Sequence, residues 1–186
     1  MTKKVIVAGL FGGVVLIILS AVNGVLGFRA RIDMKQIPAE RRVYEVLKET
    51  IGEPGRYICN PELTSEGRFP GEAPVFSVLY SGMGHKTAGK LTLIGLAAFL
   101  LAPMIGAWML SLTSARILSS YPRKVLFFTA IGLLFAVFWD LTNFGIGGYP
   151  LKDAILLAGH DIIVWTIVGL VVAWRIQPER GNVTNA

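Results

Sequence analysis

Residues Phe138–Trp165 read FWDLTNFGIGGYPLKDAILLAGHDIIVW. Two apolar segments flank the glycine-rich piece GIGGYP, and neither resembles the surface of a soluble domain. Read as two helices returning through a short connector, the stretch is a membrane hairpin, and this reading sets the fold class for the whole chain. It also carries Asp140, Asp153, His160 and Asp161, which a hairpin in lipid must accommodate away from the acyl chains.

Working outward, the same signal recurs. Four runs, Val5–Phe28, Ala88–Leu110, Val125–Phe144 and Ala154–Trp174, each approach the ~20 residues that cross ~30 Å of hydrocarbon as a helix. The composition agrees: 53% of the 186 residues are hydrophobic and the mean hydropathy is +0.59, too apolar for an ordinary soluble domain. Lys3, Lys4 and the LSA ending at Ala21 also fit a cleaved signal peptide. The apolar run continues to Phe28, however, which exceeds the usual core of about 7–15 residues and favours a retained span.

The expected fold is an all-α membrane protein, a four-transmembrane-helix bundle with a small extracytoplasmic helix-plus-β-hairpin cap between helices 1 and 2. The expected boundaries are 1–28 for helix 1, 29–87 for the cap, 88–110 for helix 2, 111–124 for a cytoplasmic loop, 125–146 for helix 3, 153–175 for helix 4 and 176–186 for a cytoplasmic tail. In the cap, IPAERRVYEVLKETIG predicts a helix with Pro38 in its first turn and Gly52 at its C-terminal end. RYICN and PVFSVLY predict two strands. This segment is expected to lie on the outer ends of the spans.

The net charge of +6 does not point to nucleic acid. The loop Phe28–Lys86 holds nine Lys/Arg and eight Asp/Glu and is nearly neutral. The excess lies at span ends, where it sets topology: Lys3, Lys4, Arg116, Arg123, Lys124, Arg175 and Arg180 place both termini and the middle loop in the cytoplasm. Arg29, Arg31, Lys86 and Lys90 at the outer ends argue the other way. Asn182 opens an NVT acceptor sequence, but in a tail expected to be cytoplasmic. The partners implied are the lipid bilayer and other membrane protein subunits, and the expected location is the bacterial cytoplasmic (inner) membrane. The single cysteine, Cys59, excludes an internal disulfide and any CxxC motif.

Helices in lipid associate through small residues that let backbones approach. Each span has such a stripe: Gly9, Gly13, Ser20, Gly24 and Gly27; Ala88, Thr92, Gly95, Ala102 and Gly106; Thr129, Gly132, Ala136, Asp140 and Asn143; and Ala158, Asp161, Trp165, Gly169 and Ala173. Pro103 is expected to bend the second span. Because Asp140 and Asp161 lie on two of these stripes, they should point into the bundle. A turn near Gly148–Tyr149 would put Asp140 and His160 at similar depth, about 6–12 Å below the outer surface. Asn23, Lys90 and Asn143 lie at comparable depth.

Asp140, His160, Asp161, Lys90, Asn143 and Asn23 are therefore the candidate site. The first reading is a structural latch in which Lys90 or His160 pairs with Asp140 and Asp161. The second is a site for a proton, an ion, a quinone or another small polar ligand. The third is a metal held by His160, Asp161 and Asp140, or a haem between His85 and His160. No cofactor is favoured, no catalytic residue is assigned, and no Ser/His/Asp or Cys/His nucleophile arrangement is visible. GIGGYP joins two spans and follows no strand, so a phosphate-binding loop fails on context.

On GRYICNP, PVFSVLY and WDLTNFGIGGYP with DIIVW, the chain resembles a loose group of uncharacterised bacterial four-span membrane proteins with a long first outer loop. The resemblance covers most of the chain and implies no known activity. Thiol-dependent quinone reductases and claudin-like proteins need paired cysteines, which this sequence lacks.

Overall fold

Apolar runs of this length form helices because only a helix satisfies its own backbone hydrogen bonds without water. The computed structural model describes residues 3–33, 35–145 and 148–177; the side chains of Arg29, Ala30, Asp33, His85, Lys86 and Ala88 are outside that description, as is Asn182 in the tail. The elements run α1 (Lys3–Leu26), α2 (Phe28–Asp33), α3 (Glu40–Thr50), β1 (Gly55–Cys59), β2 (Phe76–Tyr80), α4 (His85–Ser111), α5 (Ala115–Leu118), α6 (Tyr121–Phe135), a π-helical segment (Ala136–Leu141), α7 (Thr142–Gly145) and α8 (Leu151–Arg175). Four helical stretches are long and apolar enough to cross a membrane: Lys3–Leu26, Gly89–Ser111, Tyr121–Gly145 and Leu151–Arg175.

Local chemistry explains where the boundaries differ from expectation. The first apolar run breaks at Gly27, whose φ of 64° is left-handed and whose N–H donates to the Gly24 carbonyl at 3.1 Å. Gly27 is thus a helix-ending turn, not a packing residue. The third long apolar helix begins at Tyr121 instead of residue 125, because Pro122 suits a first helical turn. Near its other end it widens into the π segment, which periodicity did not reveal.

The chain divides into two compact units. One, Gln36–Leu91, holds α3 and the antiparallel pair β1–β2, with Gly55 opposite Tyr80 and Cys59 opposite Phe76. Arg56 Nε donates to Ser77 Oγ across the pair at 3.0 Å. No residue of α3 is buried, although Val43 and Leu47 on its apolar stripe are half-buried.

The other unit, 1–35 with 92–186, is the helix bundle. A Cβ placed on Gly9 would lie 2.5 Å from the Met104 Cα, one on Gly13 would lie 2.8 Å from the Leu100 Cα, and one on Gly132 would lie 2.9 Å from the Ile162 Cα. Gly12 meets Val172, Gly106 meets Phe128, and Gly169 meets Phe128. These contacts link α1 to α4, α4 to α6, α6 to α8 and α8 back to α1. The core they close comprises Val5, Ala8, Ala107, Leu110, Phe128, Trp165, Val168, Val172 and Ile176. It occupies the half of the bundle that contains the α1 start and the α8 end. In the other half, Gly24 and Gly95 meet no atom within 4 Å. The small-residue stripes of α1 and α4 therefore pack over only part of their length.

Candidate functional site

Asn23, His160, Asp161, Asp140 and Asn143 belong to that second half of the bundle. Asn23 faces α8 from the last two turns of α1, and its Nδ2 donates to His160 Nε2 at 2.7 Å. With the amide nitrogen as donor, Nε2 accepts, which matches the tautomer that carries its proton on Nδ1. His160 Nδ1 in turn donates to Asp161 Oδ1 at 3.0 Å. Both ring nitrogens are used, and the Phe28 ring stacks on the imidazole with centroids 5.3 Å apart and planes inclined by 21°. The side chains of His160 and Asp161 are each 16% exposed.

Asp140 lies in the π segment and is 3% exposed. Such segments insert an extra residue into a helix and so turn the side chains beyond them. Before this insertion, Thr129 Oγ1 and Thr166 Oγ1 are 2.9 Å apart, and Gly132 packs on Ile162. This places α6 against α8 about one helical turn away from the register expected from the connector.

Of the other expected members, Asn143 is half-buried, and its carbonyl accepts the Tyr149 N–H at 3.1 Å, closing the connector at Gly148, where φ is 72°. Lys90 is exposed and belongs to the Gln36–Leu91 unit. The His85 side chain lies outside the description, so the haem arrangement has no geometry to weigh. Among the described residues, no group of three or more His, Cys, Asp or Glu is arranged to hold a metal ion.

Three features escaped sequence reasoning. In the sequence, Phe28 is no more than the end of an apolar run. Lys35 Nζ reaches Asp153 Oδ2 at 2.9 Å, tying the segment after α2 to the first turn of α8. At the opposite end of the bundle, Lys124 is buried, and its Nζ donates to the Ile176 carbonyl, while the Tyr121 hydroxyl donates to the Leu170 carbonyl at 2.9 Å. A run of apolar neighbours gives no sign that a lysine at a span end will fold back on the carbonyl of another helix.

Comparison of the chain with known protein families, curated proteins and solved structures yields no match.

Proposed function

We propose that the protein is a multi-pass integral membrane protein that acts as a non-enzymatic accessory or scaffold subunit, with Asn23, His160 and Asp161 as an internal latch. The observation that carries the latch is the saturation of His160. One ring nitrogen accepts from Asn23, the other donates to Asp161, and Phe28 lies over one ring face. Both ring nitrogens of the imidazole are thus engaged within the protein, and the bond from Asn23 joins α1 to α8.

A scaffold also needs a surface for its partner. In the Gln36–Leu91 unit, Ile58 and Leu79 are 65% and 78% exposed, and among the described residues no third strand pairs with either edge of the sheet. The orientation proposed has both termini in the cytoplasm of a bacterium, with the protein in its inner membrane. It rests on Lys3, Lys4, Arg116, Arg123, Lys124 and Arg175, which share one end of the bundle with no acid among its described residues.

The test is affinity purification of the full chain from native membranes in a mild detergent. A scaffold subunit is recovered with a stoichiometric partner in a larger complex. A single monodisperse species, recovered alone across several mild detergents, overturns the scaffold role. Asp140 favours a second reading, proton or ion handling, because a buried acid in a π segment of a span is a recurring feature of functional sites. Loss of proton flux in proteoliposomes on Asp140→Asn, with the fold retained, would establish that reading instead.

A further inference from the structure

The end of the bundle opposite the latch carries a concavity of about 480 Å³ lined by Lys3, Lys4, Val7, Trp174, Arg175 and Gln177. Its walls are the start of α1 and the end of α8. The Arg175 guanidinium carbon lies 4.8 Å from the ring centroid of Phe11 and 4.8 Å from that of Trp174. Cation–π contact on two rings holds the group in place without neutralising it. Lys3 and Lys4 pair with no acid among the described residues. The sequence explains why: positions 3–32, 73–139 and 162–177 contain no Asp or Glu. Three cations thus converge on a space of ligand size where no acid among the described residues balances them.

We propose that this concavity binds the phosphate of an anionic phospholipid headgroup. A phosphate matches the donor set, since guanidinium and ammonium groups form charge-assisted hydrogen bonds to its oxygens. Two observations favour a lipid over free phosphate. Trp174, 67% exposed, stands at the end of a span, where tryptophan marks the headgroup level. Below it, Val7, Leu10, Phe11 and Val14 of α1 are 40–49% exposed and offer an apolar track for an acyl chain. Basic pockets between membrane helices take anionic headgroups on the same physical grounds.

The inference rests on the membrane reading given above, and the experiment separates the two. The full chain, purified in detergent, is titrated with phosphatidylglycerol, with phosphatidylcholine of the same acyl chains, and with inorganic phosphate, while bound lipid is counted by native mass spectrometry. Phosphatidylglycerol is expected to be retained preferentially. Arg175→Gln should weaken its retention about fivefold, and adding Lys3→Gln and Lys4→Gln should bring the loss to about a hundredfold, as for successive removal of basic groups near an anionic surface. Lys3→Arg with Lys4→Arg should keep the preference. Equal retention of the two lipids, or a preference unchanged in the triple variant, overturns the proposal. Saturation of the site by inorganic phosphate with no gain from the lipid also overturns it. Release of the protein from native membranes by alkaline carbonate without detergent would sink the membrane reading itself, whatever the lipid comparison gives.

Discussion

At the scale of single residues, the Asn23–His160–Asp161 chain follows from what each group can donate or accept. Asn23→Ala leaves Nε2 of a partly buried imidazole without its donor, a loss of about 1 kcal/mol. His160→Phe removes both hydrogen bonds but keeps a ring for Phe28 to stack on. A double-mutant cycle of these two changes, read from unfolding in detergent, should give a coupling of about 0.6 kcal/mol, the average for hydrogen bonds between membrane helices. Zero coupling would mean that the two side chains do not act together. The Lys35–Asp153 pair is different. Its lysine side chain is 65% exposed, so Asp153→Asn should cost at most about 0.5 kcal/mol in the same assay. The sequence named Asn23, His160 and Asp161 as neighbours in depth. The pairing of Asn23 with His160 is not legible there, because depth along a helix can be counted from sequence, whereas the direction of a side chain around the axis depends on how the helix is seated.

At the scale of helices, glycine positions that look alike in sequence differ sharply in the fold. Gly132 of α6 sits where an added Cβ would lie 2.9 Å from the Ile162 backbone and 3.1 Å from the Asp161 carbonyl oxygen. Gly132→Ala must therefore push α6 away from α8. We expect a loss of roughly 1–3 kcal/mol, the usual cost of overpacking, and a clear drop in melting temperature in detergent. Gly24→Ala and Gly95→Ala meet open space and should be neutral or slightly stabilising, since alanine is the better helix former. If all three variants melt alike, the packing described for the bundle is wrong. In the other unit, Gly82 has a φ of 67°, and a Cβ there would run into the Pro54 ring. Gly82→Ala should loosen the end of the hairpin by roughly 1–3 kcal/mol, visible as faster amide exchange in β1 and β2.

At the scale of the whole molecule, the uneven distribution of charge along the chain is the main guide to orientation. Six basic side chains gather at one end of the bundle without a described acid, whereas the loop that holds α3 and the hairpin is nearly neutral. The lone cysteine gives a direct check. Cys59 is exposed on β1, so a membrane-impermeant maleimide should label it on intact cells that express the protein. In a Cys59→Ser background, Ser119→Cys in the middle loop should label only after permeabilisation. The reverse pattern would invert the proposed topology. It would also place the basic concavity at Lys3, Lys4 and Arg175 on the outer leaflet.

Hydropathy and backbone propensity are local, additive properties, so the sequence alone determined the four long apolar helices, the intervening helix and strand pair, and the shortlist of polar groups within those helices. Packing is neither local nor additive. Tertiary structure alone decided which glycines are buried, since Gly12 and Gly132 are closed over while Gly24 and Gly95 are not. It also set the register of α6 on α8, widened the third long apolar helix at Asp140, and seated Phe28 on His160. Each of these depends on how side chains of distant segments interlock once the helices are side by side, and a repeat read along one strand of sequence holds no record of that fit.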